Sequence, residues 1–327
     1  APGVNLEAPN PAGAAARVEA AVTPTHRTDW YRRKRTREAM LVACFLLPSL
    51  TIFFLYRILP LAWNVVLSFE YWSPLKAARF AGLDNYAEML LEDDVFWQAL
   101  TNTLIFILAS PVAILLALAV ALAVNSDLKG AAIYRTIIFL SYPLMSVAVG
   151  IVWRWLYDER GGFINFVLRG TGLINDPIPF LQSFGWALPS VIVADIWQVI
   201  GFYMIILLTG LQGIPQHLYE AARIDGAPAS ARFLRITLPM LRPSLFICAV
   251  IGILNSFTAF DLVYVMTGGG PAHATELLVT HIYNMGFGET RFDYAAALTV
   301  VQFALLVILT FLANRAVGGN AGSVENA

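Results

Sequence analysis

From Val95 to Ser126 the chain carries no charged side chain. Five further apolar runs match it in kind: Ala39–Tyr56, Thr136–Trp153, Ala187–Leu211, Pro243–Val265 and Tyr294–Asn314, in which Asp195 and Asp261 are the notable acids. Length is what constrains the fold. About 20 residues at about 1.5 Å each cross a hydrocarbon core, and a soluble core rarely needs uncharged runs that long. In lipid every backbone N–H and C=O needs a partner within the segment, so the six runs are expected to be helices. A membrane β-barrel would show alternating strands of about ten residues, and none is visible. Composition agrees, at 58% hydrophobic and 13% charged residues with a mean hydropathy of +0.67. The expectation is an all-α, polytopic membrane protein with six transmembrane helices.

Lysines and arginines near helix ends set orientation. Arg32, Arg33, Lys34, Arg35 and Arg37 precede the first run. The following loop, Glu70–Asp94, offers only Lys76 and Arg79 among many acids. Arg223, Arg232, Arg235 and Arg242 cluster after the fourth run, and Arg315 follows the sixth. Alternating these places both termini and the 216–239 loop in the cytoplasm. Residues 1–37 read as a disordered, then basic, tail because they are Ala/Pro-rich with few bulky apolar side chains. The helical domain spans 38–315, and 316–327 form a second tail. The first run starts too far into the chain, and lacks too clearly a small-residue cleavage site, to suit a removed signal peptide. Trp72, Trp97, Trp153, Trp155 and Tyr157 fall near run ends, as an interfacial aromatic belt does.

Several chemistries are excluded. A net charge of −1 offers no basic surface for nucleic acid. Phosphate-cradling loops need a lysine just after a glycine, and none of Lys34, Lys76 and Lys129 has one. No metalloprotease or serine-hydrolase motif occurs. His26, His217, His273 and His281 are scattered and read as solvated loop residues; Cys44 and Cys248 read as lipid- or core-facing thiols. The chain is therefore not expected to be an enzyme, or to bind a metal or cofactor.

The polar stretch Glu220–Pro239 interrupts this apolar pattern. Glu220 to Asp225 predicts a short helix with Glu220 near its positive N-terminus. Gly226, Ala227 and Pro228 predict a break, and Ala229–Thr237 a second helix with Phe233 and Ile236 on one face. Pro239 and Pro243 mark entry to the fifth run. The result is an exposed elbow with small residues where a partner's backbone can come close. An ordinary basic loop would explain its charge but not this spacing.

The spacing resembles the EAA signature of binding-protein-dependent ATP-binding-cassette (ABC) importers. It comprises Glu220-Ala221-Ala222, Gly226 and Ile236-x-Leu238-Pro239, with Asp225-Gly226-Ala227 inside it. Ile214-Pro215, Pro243 and the run Phe260-Asp261-x-x-Tyr264-x-x-Thr267-Gly268-Gly269-Gly270-Pro271 are similar to the carbohydrate-uptake branch. The likeness extends over about Leu41–Arg315 and implies a type I ABC importer permease of the maltose and glycerol-phosphate kind. It implies that the elbow, through Glu220, Ala221, Ala222, Asp225, Gly226, Ala227, Ile236, Leu238 and Pro239, docks into a separate ATPase. It further implies two ATPase subunits that carry ATP and Mg2+, a second homologous permease, an extracytoplasmic solute-binding protein and a prokaryotic cytoplasmic membrane.

For the solute path, ionisable and polar groups inside a membrane usually face the bundle interior. Asp195, Gln198 and Phe202 share a face of the fourth run, and Asn255, Phe257, Thr258 and Asp261 cluster in the fifth. They are expected to line the path, although polar groups also join helices to one another. Aromatics plus hydrogen-bonding groups suit a di- or oligosaccharide. Glycerol-3-phosphate or a glycerophosphodiester is the second choice, since a phosphate calls for arginines along the path. An ion-coupled secondary transporter would show broken helices and inverted repeats, and a membrane hydrolase a nucleophile–base motif. Gly268–Pro271 predicts an outer turn, and the resemblance implies that the binding protein docks there.

Overall fold

The computed structural model describes residues 25–74, 76–125 and 130–315. It divides into two units, residues 1–63 and 64–327. In the first, α1 (Thr25–Phe53) continues through a π turn (Phe54–Ile58) into α2 (Leu59–Leu67), whose residues from Asn64 onward fall in the second. Pro60 accounts for the wide turn: its ring would clash with the carbonyl of Tyr56, and loosening the backbone there relieves the clash. Met40–Leu67 is long and apolar enough to cross a membrane. The helix begins at Thr25, inside the stretch read as a tail. Residues 1–24 and 316–327 lie outside the described residues.

The second unit opens with an antiparallel hairpin of β1 (Glu70–Ser73) and β2 (Lys76–Phe80), registered Glu70↔Phe80 and Tyr71↔Arg79. The side-chain amide of Asn85, from α3 (Asp84–Leu91), donates to the Ser68 and Glu70 carbonyls and ties the hairpin down. Asp93 then caps α4 (Asp94–Val124), accepting from the Phe96 N–H at 2.9 Å. This is the second expected span as one helix.

The third expected span is not one helix. α5 (Ala131–Phe139) stops, the chain turns through residues 140–145, and α6 (Ser146–Leu156) starts afresh. Pro143 supplies the reason. It has no N–H to donate, and it pushes Tyr142 away from helical dihedrals. After α7 (Phe163–Gly170) comes α8 (Ala187–Gln212), the fourth span, unbroken.

α4 and α8 run in the same direction. Phe106 shares a core with Leu188, Val191 and Ala194, while Ala113, Ala117 and Ala121 share another with Tyr203, Met204 and Leu207. Hydrophobicity does not drive helices together in lipid, so close approach at small residues has to. A Cβ on Gly201 would clash with the Ile138 carbonyl oxygen, and one on Gly252 would sit 2.9 Å from Ser110. The first contact seats the end of α5 on the backbone of α8.

Beyond α8 come α9 (Gln216–Ile224), α10 (Ala229–Arg232), a π turn (Phe233–Thr237) and α11 (Leu238–Met240). The chain then bends by 63° at buried Leu241 into α12 (Arg242–Thr258). At Ala259 the backbone leaves the helix (φ −73°, ψ 53°) before α13 (Phe260–Met266). The fifth expected span is thus broken as well. α14 (Leu278–Tyr283) and a π turn (Asn284–Gly288) lead to α15 (Phe292–Ala313), the sixth span and again a single helix.

Candidate functional site

The two breaks meet at one place. A cavity of about 360 Å³ lies between them, lined by Tyr142, Leu144 and Ser146 at the first and Asn255, Thr258, Ala259 and Asp261 at the second. Asp195 and Gln198 of α8 form the wall between. Counting from Ala187, Asp195 stands about 12 Å and Gln198 about 17 Å along α8. Non-helical backbone at that depth is tolerated where it borders a watery cavity.

Gln198 holds the first break open. Its amide N–H groups donate to the Leu144 carbonyl at 3.0 Å and to Ser146 Oγ at 3.3 Å, while the Ser141 hydroxyl bonds the Gln198 carbonyl. Phe202 does not line the cavity itself. It stacks on Tyr142 with ring centroids 4.3 Å apart and so fixes the ring that does. Thr258 returns its hydroxyl to the Leu254 carbonyl at 3.0 Å. Asp195 makes no hydrogen bond or ion pair among the described residues. Phe257 corrects the expected set: it is buried with Met89, Phe96, Tyr294 and Leu278, away from the cavity. Tyr142, Leu144 and Ser146 were missed, and Pro143 in Ser141–Ser146 was the available signal.

The elbow has two faces. Leu218, Tyr219, Phe233 and Ile236 pack on the α4–α8 core, and the Tyr219 hydroxyl meets that of Thr237 at 2.9 Å. Glu220, Ala221, Arg223, Asp225 and Gly226 are exposed, as is Ile224, at 87%. Ala222, Ala227, Ile236, Leu238 and Pro239 are half-buried. Gly226 closes α9 with φ +73°; its N–H donates to the Arg223 carbonyl, and the Ala227 N–H reaches back to Ala222. Two expectations change. α9 begins at Gln216, so Glu220 lies in its second turn rather than at the positive end. The second arm runs through Pro239 to Met240, so the entry to the fifth span is the Leu241 bend.

At the opposite end, charged groups pair with one another. Arg291 donates to both carboxylate oxygens of Glu88, at 2.6 and 2.7 Å. This pairing, which outweighs the effect of burial, raises the guanidinium pKa. The Asp93 carboxylate lies within hydrogen-bonding distance of His281 Nε2, at 2.8 Å, and accepts from the Tyr294 hydroxyl. Burial pushes the Asp93 carboxyl up, yet the hydrogen bonds of Tyr294, His281 and the Phe96 N–H hold it below the usual carboxylate range. His281, with a side chain only 3% exposed, is therefore no solvated loop residue. Tyr157 is likewise buried, packed with Trp153 and Phe180. Glu276 is buried too, accepts from Asn284, and would clash with any side chain at Gly269. That contact locks the Gly268–Pro271 turn, where Gly268 and Gly269 both have positive φ.

A bundle of membrane-length helices, broken twice around a polar cavity and carrying an exposed elbow, has the architecture of a transport component. Residues 98–319 match the family described as binding-protein-dependent transport system inner membrane component. The chain belongs to that family: it is a permease of the ABC importer type, a membrane transport subunit and not an enzyme. Relatives include the lactose transport system permease protein LacF of Rhizobium radiobacter, 35% identical over 82% of this chain and 91% of that protein. The trehalose/maltose transport system permease protein MalF of Thermococcus litoralis is 33% identical over 84% and 93%. The diacetylchitobiose uptake system permease protein NgcF of Streptomyces coelicolor is 32% identical over 89% and 87%. A crystal structure of a bacterial ABC transporter that imports the acidic polysaccharide alginate contains a similar chain, with a TM-score of 0.73 and 25% identity over 87% of this chain and 97% of that one. Family membership sets aside the ion-coupled and hydrolase alternatives, although the two broken spans are the feature that the first of these would have used.

Proposed function

We propose that this chain forms half of the path of a sugar importer, facing a second, homologous permease, with di- or oligosaccharides as the solutes. The cavity between the two helix breaks carries this reading. It presents hydroxyls, an amide, carboxylates and the Tyr142 ring to a polyhydroxylated solute, and relatives named for lactose, trehalose/maltose and diacetylchitobiose uptake point the same way. Glycerol phosphate is disfavoured because no arginine or lysine lines the cavity. The elbow's exposed face, centred on Ile224 and Gly226, docks on a cytoplasmic ATPase; two such subunits hold ATP and Mg2+. Switching a two-state path from 1:99 to 99:1 takes about 5.5 kcal/mol of differential binding, which nucleotide-driven closure supplies through the elbow. A solute-binding protein delivers sugar at the opposite end, and both termini of the chain are cytoplasmic.

Affinity purification from native membranes, followed by reconstitution, tests the assignment. Recovery of an ATPase, a second permease and a sugar-loaded binding protein, with ATP-dependent uptake in liposomes, is the expected result. Uptake by this chain alone without ATP would overturn it.

A further inference from the structure

The cavity's charge is one-sided. Its lining includes two carboxylates, Asp195 and Asp261, and no lysine, arginine or histidine. Asp195 stands well inside α8, on the face it shares with Gln198, and neither carboxylate has a hydrogen-bonding or ionic partner among the described residues. An ionised carboxylate offers only acceptors, about four lone-pair sites. Leaving them unmatched in a partly desolvated wall is costly, so an occupant that donates is favoured and one that brings a negative charge is opposed. Among the neighbouring donors, the amide N–H groups of Gln198 are committed to Leu144 and Ser146 and the Thr258 hydroxyl to Leu254; the Asn255 amide and the Tyr142 hydroxyl are neutral and leave the carboxylates' charge unbalanced.

We propose that Asp195 is a specificity-determining residue of the path, admitting neutral and amine-bearing saccharides and rejecting saccharides that carry a carboxylate, sulfonate or phosphate. Discrimination of this kind needs a repulsive element as well as an attractive one, and the unpaired carboxylate supplies both. It accepts hydroxyl or ammonium donors and repels anions. Asp261, exposed at the start of α13, adds to the field without fixing the geometry. The proposal rests on the saccharide reading of the cavity.

Three probes of matched size separate the possibilities: lactose, lactosamine with its free amine, and lactobionate with its carboxylate. Each is titrated by equilibrium dialysis against the assembled importer in lipid nanodiscs without its binding protein. The wild type is expected to bind lactosamine at least as tightly as lactose, and lactobionate about tenfold or more weakly. Asp195→Asn should bring all three within about threefold of one another, and Asp195→Glu should keep the original order. Lactobionate binding as tight as lactose in the wild type, or a ranking unmoved by Asp195→Asn, overturns the proposal while leaving the saccharide reading standing. If none of the three binds, the saccharide reading itself fails and takes the charge rule with it. Should Asp195→Asn not assemble, the wild-type ranking and the preserved order in Asp195→Glu still decide the matter.

Discussion

The two ends of the helical bundle use charge in opposite ways. At the hairpin end Asp93, His281, Tyr294, Glu88 and Arg291 join α3, α4, α14 and α15 by charged hydrogen bonds, several of them buried. At the elbow end the charges of Glu220, Arg223 and Asp225 face outward, and the arms are held by backbone caps, one pair of hydroxyls, apolar packing and a single charged donor, Arg232, on the Ala227 carbonyl at 3.0 Å. One end turns its polar groups on itself, and the other leaves them exposed. The difference teaches where to look for docking: residues free of internal work, on a scaffold that stays shaped without them.

The comparison can be broken from the hairpin side first. Asp93→Ala should cost about 3 kcal/mol, because His281 and Tyr294 are left buried without their acceptor. Thermal unfolding of the detergent-solubilised permease would report it, and a Tm within a degree of wild type would deny this end its anchoring role. On the elbow side, Gly226→Val forces a β-branched residue to a φ of +73°, a local strain of about 1–2 kcal/mol. The expected signature is functional: ATP hydrolysis continues while uptake per ATP falls about tenfold or more, against RT-scale changes of 1.4 kcal/mol per decade. Full coupling in an inserted Gly226→Val variant would contradict the docking reading. Ile224→Asp sharpens the contrast further, since a change on an open surface usually moves stability by less than about 0.5 kcal/mol. It should nevertheless reduce the ATPase recovered with the permease on affinity beads. The smallest effect is one of pH. Asp93's carboxyl is held below its unfolded value of about 3.9, so its contribution to stability is complete above that value and is lost as pH falls through the lower folded one. Between pH 8 and 5 no change is expected from it, and the acid-side loss should be missing in Asp93→Asn.

Legibility tracked the range over which each feature is encoded. Four spans and the elbow's closing glycine were readable because their signals are local: an uncharged run, or Gly226 between an alanine-rich turn and Pro228. The breaks were harder. Residues on both sides of Tyr142 are as apolar as a continuous helix would need, so hydropathy ran straight through and only Pro143 spoke against continuity; around Ala259 the polar Asn255, Ser256, Thr258 and Asp261 break the apolar run, but no proline or glycine marks a break. The hairpin-end network was invisible for a different reason. Asp93 and its partners His281 and Tyr294 are separated by nearly two hundred residues, and no spacing rule reaches that far. Among the residues expected to line a path, Asp195, Gln198, Asn255, Thr258 and Asp261 converge on one cavity as their helical phases suggested, whereas Phe257 turned to the other side of its helix.

The bend at Leu241 and the break at Ala259 make α12 a separate rod between two joints, packed on α4 where Gly252 meets Ser110. Its 17 residues measure about 25 Å. Leu241 is buried in the core, the position a fulcrum would need, with the elbow as the short arm and Asn255 and Thr258 near the tip of the long one. A tilt of about 5° on such a rod displaces the tip by about 2 Å, close to the width needed to admit or pinch a hydroxyl. The joint at Ala259 lets α13 stay behind, and Phe257, packed on Met89, Phe96 and Tyr294, ties the same tip to the hairpin end, so a stroke at the cavity wall would be felt there as well.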